Sequence, residues 1–169
     1  DNLLENGIQE FVDEFNHKGP DSLILLAKVK NPSQFGVAEL QGKQVIRLVE
    51  KPKEYVSDLA LVGVYLFTSC IFDAVNAIKP SARGELEITD AIQYLVEHGK
   101  VVLPHLVQGW WKDTGKLEDM LEANRITLDK IETSIHGEIC SASSVRGRVQ
   151  IGAGSKIINS VVCGPTVIG

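Results

Sequence analysis

Residues 59–67, LALVGVYLF, form the longest uninterrupted apolar stretch of the chain, nine residues with Gly63 inside it. A bilayer-spanning helix needs about 20 such residues, so the stretch reads as a buried β-strand rather than a membrane span. Ser22 to Val29 (SLILLAKV) reads the same way, short, apolar and bounded by turn residues. Between them, 36–40 and 45–49 flank Gln41-Gly42-Lys43-Gln44, which predicts a hairpin with Gly42 at a positive-φ position. Before the first strand, 7–18 places Ile8, Phe11, Val12 and Phe15 at helical spacing and stops at Gly19-Pro20. Beyond the second, 71–78 reads as a short helix closed by Lys79-Pro80. Residues 87–98 form another, with Ile88, Ala91, Ile92, Leu95 and Val96 on one face and Gly99 terminating it. Val101 to Val107 is strand-like, though Pro104 demotes it to an edge or bulged strand. A last helix spans 116–130, its packed side expected to carry Leu117, Met120, Leu121, Ala123, Asn124 and Leu128. Strands alternating with helices predict an α/β layer fold with a hairpin inserted.

After residue 132 the helical spacing ends. Counting in sixes, Ile139, Val145, Ile151, Ile157 and Cys163 take the first position, and Ser143, Val149, Ser155, Val161 and Val167 the fifth. One apolar residue per six, pointing inward, is the spacing of a parallel β-helix whose coils stack on one another. The opening Asp-Asn-Leu-Leu, and a last repeat cut at Gly169, read as an internal segment of a longer protein.

Apolar residues at 44%, charged at 23% and aromatic at 6% exclude a disordered chain, a coiled coil and a collagen-like fibre. Seventeen Lys+Arg against 22 Asp+Glu give −5, so no general basic surface marks a nucleic-acid partner. The three cysteines, Cys70, Cys140 and Cys163, are odd in number and lack a CxxC pair. They fit a reducing compartment better than a disulfide framework or a zinc site, and a cytoplasmic protein is the expectation.

Chemistry concentrates in a few short segments. Pro52 stops a strand, placing Glu50-Lys51 at a strand exit, where open α/β sheets bind ligands. A carboxylate there can accept from sugar hydroxyls and an ammonium can meet a phosphate; a solvated strand end of mixed charge explains the pair as well. Asp113, after Trp110-Trp111 and before a Gly-containing turn, suits Mg²⁺, which takes one or two carboxylates plus substrate phosphates. Capping of the next helix by Asp113 or Thr114 is the competing reading, and the tryptophans suit core or interface filling. Glu87 in a first helical turn is explained by the helix dipole, which leaves Arg83 and Glu85 free for a ligand. His17, His98, His105 and His136 are scattered and read as surface or loop residues. No nucleophile triad and no Gly-rich phosphate loop is present in the sequence.

Asp1-Asn2, Phe35-Gly36-Val37, Glu50-Lys51-Pro52, Val62 to Phe67, Gly84 to Asp90, Trp111 to Gly115 and then hexads follow in that order. So arranged, they resemble the sugar-nucleotide pyrophosphorylase family over essentially the whole chain. The resemblance is to its long thymidylyltransferase-type branch, which carries a C-terminal left-handed β-helix. It implies that 1–132 is the C-terminal, sugar-phosphate part of a Rossmann-like nucleotidyltransferase sheet, and that 133–169 starts a left-handed parallel β-helix. By resemblance, Asp1 and Asp113 hold the catalytic Mg²⁺, and Asp1, Lys51 and Asp113 are the catalytic set. Gly36, Glu50, Lys51, Val62 and Gly63 line the sugar-phosphate pocket, with Arg83, Glu85 and Trp111 nearby. The implied partners are a sugar 1-phosphate (glucose 1-phosphate) and a nucleoside triphosphate (dTTP), with no nucleic acid and no membrane. A homo-oligomer is implied too, a β-helix-mediated trimer or a pyrophosphorylase-type tetramer.

The implied reaction is attack of a sugar-1-phosphate oxygen on the α-phosphorus, releasing pyrophosphate. It needs alignment and charge neutralisation rather than a protein nucleophile. The family's N-terminal Gly-rich segment, which binds triphosphate and base, is missing from these residues. The segment alone is therefore expected to be inactive, with strand edges and an apolar face of 22–29 and 59–67 exposed. Two other readings are a bifunctional protein, pairing uridylyl transfer to an amino-sugar phosphate with acetyl transfer on the β-helix, and a non-catalytic regulatory or assembly subunit.

Overall fold

The computed structural model describes residues 2–169. Packing divides the chain into two units, Asp1–Asp113 and Thr114–Gly169. The first unit begins with β1 (Asn2–Leu4), α1 (Gln9–Lys18), β2 (Ser22–Lys28), β3 (Gly36–Gln41) and β4 (Gln44–Glu50). It continues with β5 (Leu59–Phe67), α2 (Cys70–Ala77), α3 (Ile88–Glu97), β6 (Val102–Leu106) and β7 (Trp111–Asp113).

Five strands make one mixed sheet in the order β4-β3-β5-β2-β6, while β1 and β7 form a separate antiparallel ribbon. The apolar run of β2 lies inside that sheet, antiparallel to β5 and parallel to β6. Its alternate side chains serve two cores. Ile24 and Leu26 pack with Ala38, Leu48 and Leu61 against Ile71 and Ala74 of α2 and Ala91, Ile92 and Leu95 of α3. Leu23 and Leu25 pack with Val62 against Phe11 of α1. Burial on both faces is why this strand is apolar at successive positions instead of alternating. It also corrects the expectation of an exposed apolar face there, since Leu23 to Leu26 and Val62 are at most 1% exposed.

The hairpin of β3 and β4 turns at Gly42, with φ 64°. A bulge between Glu39 and Leu40 skips Ile46 of β4, which is left exposed. The strand with Pro104 is an edge of the sheet, as its missing N–H requires. His105 on that strand is no free surface residue: its Nδ1 lies 2.5 Å from Glu14 Oε2 of α1, and its ring meets Phe11 edge-on at 4.8 Å. The hydrogen bond from Lys18 lowers the Glu14 pKa, burial opposes the shift, and His105 adds to the lowering.

In β5 a larger irregularity matters for the site. Ile24 is opposite Tyr65 and Leu26 opposite Leu61, so Val62, Gly63 and Val64 answer the single residue Leu25. Gly63 takes φ 82° there, a conformation open to glycine at little cost.

The second unit contains α4 (Leu117–Leu128) and seven short strands. These are β8 (Ser134–Ile135), β9 (Glu138–Ile139), β10 (Ser144–Arg146), β11 (Val149–Ile151), β12 (Lys156–Ile157), β13 (Val161–Cys163) and β14 (Thr166–Ile168). All pair in parallel, as β8-β11-β14, β9-β12 and β10-β13. Ile139 stands opposite Ile157, eighteen residues on, but Val145 opposite Val162 and Ile151 opposite Ile168, seventeen on. One residue is lost at the corner between β12 and β13. Asn159 turns it in the left-handed region, with φ 46°, its N–H donating to Cys140 Sγ at 3.4 Å.

That shortened corner changes which side chains are packed. Val149, Ile151 and Ile157 are buried and Val145, Val162 and Ile168 pack on them, whereas Cys163 and Ile139 are exposed. Val162 therefore takes the inward place expected of Cys163. In α4 the expected packed side is open, with Leu117, Met120 and Leu121 at 71%, 58% and 64% exposure and only Ala123 buried. Helical spacing marks an apolar stripe without saying what covers it. Among the described residues no helix is long and apolar enough to cross a membrane.

The fully buried Leu25 gives a direct check on the core of the first unit. Leu25→Ala is expected to lower unfolding stability by about 2–5 kcal/mol, read as a fall in the urea midpoint at constant m-value.

Candidate active site

Glu50, the last residue of β4, is the register partner of Gly36, the first of β3. A Cβ on Gly36 would stand 2.5 Å from Thr89 Cγ2 and 2.8 Å from Glu50 Oε2. Glycine there leaves room for the carboxylate to fold back over the strand. Thr89, buried at the start of α3, donates through Oγ1 to Glu50 Oε2 at 3.1 Å. Arg83 Nη1 lies 3.5 Å from Glu50 Oε1 and 3.5 Å from Glu87 Oε1, and Nη2 donates to Glu85 Oε2 at 2.9 Å. Ser81 completes the loop, its hydroxyl donating to Glu87 Oε1 at 2.9 Å and accepting the Arg83 N–H at 3.1 Å. One guanidinium thus faces three carboxylates.

Arg83 and Glu85 are consequently paired rather than free. Glu87, at the N-cap of α3, makes no side-chain cap bond but holds Arg83 and Ser81. An open cavity of about 370 Å³ is lined by Glu50, Lys51, Arg83, Glu87 and Asp90 among others. Burial, then the nearby Glu87 charge, raises the Asp90 pKa. Burial, then the Glu50 charge, pushes the Tyr65 phenol up to about 12. Lys51 is exposed, in the left-handed region at φ 41°, and its N–H donates to the Phe35 carbonyl at 3.0 Å. Its ammonium has no ion-pair partner among the described residues.

A second group forms around the β1–β7 ribbon. Asn2 pairs with Asp113 and Leu4 with Trp111. Trp111 Nε1 donates to Asn2 Oδ1 at 2.8 Å, and the Asn2 carboxamide lies where a Cβ on Gly63 would be, so the bulged glycine gives it room. The Trp111 ring meets Phe35 edge-on, with centroids 5.6 Å apart. Val62, next to Gly63, sends its side chain into the α1-side core, leaving its backbone as the part the site could use. Asp1 lies outside the described residues. Among them, no group of three or more His, Cys, Asp or Glu side chains is placed to hold a metal.

Gly36, Glu50, Lys51, Arg83 and Glu85 thus gather in one group, and Gly63, Trp111 and Asp113 in the other. Sequence reasoning passed over Thr89, Glu87, Tyr65, Asn2 and Phe35 as site residues. Thr89 and Glu87 lie inside the 84–90 segment, and Asn2 and Phe35 adjoin the expected site residues Asp1 and Gly36. Tyr65 carried no such local signal, since its link to Glu50 is made across the sheet.

The fold is a mixed α/β one of the nucleotidyl transferase class, and the nucleotidyl transferase family model matches residues 1–130. The chain belongs to that family. It is 48% identical over 171 residues to glucose-1-phosphate thymidylyltransferase of Streptomyces antibioticus, covering 100% of this chain and 48% of that protein. It is 39% identical over 161 residues to the bifunctional protein GlmU of Methanococcus aeolicus, covering 93% of this chain and 39% of that one. A crystal structure described as a glucose-1-phosphate thymidylyltransferase from Bacillus anthracis, in complex with a sucrose, superposes with a TM-score of 0.67. That match is 37% identical and covers 79% of this chain and 54% of the other. The chain spans about half the length of the curated relatives it matches.

Because the Tyr65 pKa is raised above that of an unfolded tyrosine, the folded state holds its proton more tightly than the unfolded chain. The resulting stabilisation, of order 2–3 kcal/mol, is complete below about pH 10 and is lost as pH rises towards about 12. Absorbance titration of phenolate is expected to show one late-ionising tyrosine, and Glu50→Gln to bring it earlier.

Proposed function

We propose that this chain supplies the sugar-phosphate side of an active site that transfers a nucleotidyl group to a sugar 1-phosphate, releasing pyrophosphate. Glucose 1-phosphate and dTTP are the first-choice substrates. The observation that carries the reading is Glu50, held over Gly36 by Thr89 and Arg83 beside the exposed ammonium of Lys51. A fixed carboxylate can accept from sugar hydroxyls, and a neighbouring cation can neutralise a phosphate. In the reaction a phosphate oxygen of the sugar forms a bond to the α-phosphorus while the bond to the β-phosphate bridging oxygen breaks. The electron pair leaves with pyrophosphate.

Asp113 and Asp1 would hold Mg²⁺. Two carboxylates suit an ion that takes one or two of them together with substrate phosphates, and the pairing of Asn2 with Asp113 supports the choice. Bound there, the ion would supply charge neutralisation at the phosphates. Lys51 adds a second positive charge from the strand exit, and Glu50 fixes the sugar so that its phosphate is in line for attack. The match to the thymidylyltransferase, at 48% identity against 39% for GlmU, favours the thymidylyl reading over a bifunctional uridylyl and acetyl transferase.

For 133–169 we propose the first coils of a left-handed β-helix beyond a nucleotidyltransferase domain at 1–132. Parallel pairing in three sets, at spacings of sixteen to eighteen residues, supports stacked coils of three short strands each. The end of the family match at residue 130 supports a boundary in sequence there, although by packing α4 groups with the strands that follow it.

The test is pyrophosphate release by the complete protein with dTTP or UTP and with glucose 1-phosphate or N-acetylglucosamine 1-phosphate. The fastest turnover is expected with dTTP and glucose 1-phosphate. Asp113→Asn is expected to lower kcat by about 10²-fold, and Glu50→Gln to raise KM for the sugar phosphate by about tenfold. Absence of pyrophosphate release with every pair would overturn the reading.

A further inference from the structure

The two groups of site residues meet at one residue. Phe35 has an extended backbone, φ −126° and ψ 162°, at the end of a short 3₁₀ turn and immediately before Gly36. Its carbonyl accepts the Lys51 N–H at 3.0 Å, while its ring lies edge-on against Trp111 at 5.6 Å. Among the described residues Lys51 is one of two non-glycine residues with positive φ, the other being Asn159 at the shortened corner. A side-chain-bearing residue stays in the left-handed region only where its surroundings over-determine it. The surroundings here are the Phe35 carbonyl, the pairing of Gly36 with Glu50 just before it, and the buried Pro52 just after.

We propose that Phe35 is a positioning residue that sets the strand exit bearing Lys51 against the ribbon bearing Trp111 and Asp113. The inference rests on the nucleotidyl-transfer reading. In that reaction one reactant phosphate is met by the Lys51 ammonium and the other lies on the Asp113 side, so the distance between these elements governs in-line alignment. Phe35 touches both elements at once, Lys51 through its backbone and Trp111 through its ring. The ring holds β7 by contact with the indole, and the indole is held in turn by Asn2, the register partner of Asp113. At the other end the carbonyl holds the left-handed turn. A smaller side chain at 35 keeps the carbonyl and loses the contact with the ribbon. Alignment then loosens while the sugar-binding carboxylate, fixed independently by Thr89 and Arg83, stays in place.

The experiment compares Phe35→Ala, Phe35→Leu and Phe35→Tyr in the complete protein, reading kcat, KM for glucose 1-phosphate, and Tm. Ala and Leu are expected to lower kcat by about tenfold or more, because small misplacements of reacting groups are costly, with KM within about threefold. Tyr keeps the ring and is expected to stay within about twofold of wild type. In a Lys51→Met background the further loss from Phe35→Leu is expected to shrink to less than about twofold, because the ammonium that Phe35 positions is gone while the backbone bond between the two residues remains. Should the Ala variant fail to fold, Leu carries the same readings. A Leu variant that keeps its kcat, a Tyr variant no better than Leu, or an undiminished loss in the Lys51→Met background would each overturn the proposal while an active wild type left the functional reading standing. A wild type that releases no pyrophosphate sinks the functional reading, and this inference with it.

Discussion

The site depends on a missing Cβ. Where Gly36 opposes Glu50, the carboxylate folds over the strand into space that any side chain would fill, with the Thr89 methyl pressed against the same spot. Every other contact of Glu50 follows from that placement. Thr89 reaches it from the first turn of α3, Arg83 from the preceding loop, and the Tyr65 phenol is kept protonated partly by its charge. Glycine contributes through absence of bulk here. At Gly63 it contributes through backbone freedom, since the bulge of β5 needs φ 82° and then gives room to the Asn2 carboxamide.

Charge is distributed to match. Three carboxylates share the single guanidinium of Arg83, and Lys51 keeps its ammonium in solvent with no ion-pair partner among the described residues. An arginine suits the shared position because its planar fork can serve several acceptors at once. A lysine suits the exposed position, where a compact and mobile charge can meet an incoming phosphate. The two cations are therefore not interchangeable, although both lie within one loop cluster.

Secondary structure was legible wherever local chemistry dominates. Gly19, Gly42 and Gly99 stand at left-handed positions at the ends of the expected elements, and Pro104 lies on an edge strand. What was misread involved partners distant in sequence. His105 is tied to Glu14, 91 residues away, and Arg83 to Glu50, 33 residues away. The apolar stripe of α4 was visible and its exposure was not. In the repeats, counting by six named Ile151 and Ile157 correctly but overran a corner that Asn159 turns with one residue fewer, so Val162 and not Cys163 packs inward.

By itself the sequence determined the kinds and order of the longer elements, because apolar spacing, turn glycines and proline act over a few residues, but not the three-residue strands of the β1–β7 ribbon. It also brought to notice the segments that carry chemistry. The tertiary structure alone decided which of them meet: that Glu50 lies over Gly36, that Arg83 is shared, and that Phe35 touches both Lys51 and Trp111. Those meetings depend on strand register and on packing between residues far apart in the chain, and a one-residue slip in register would turn each side chain to the opposite face.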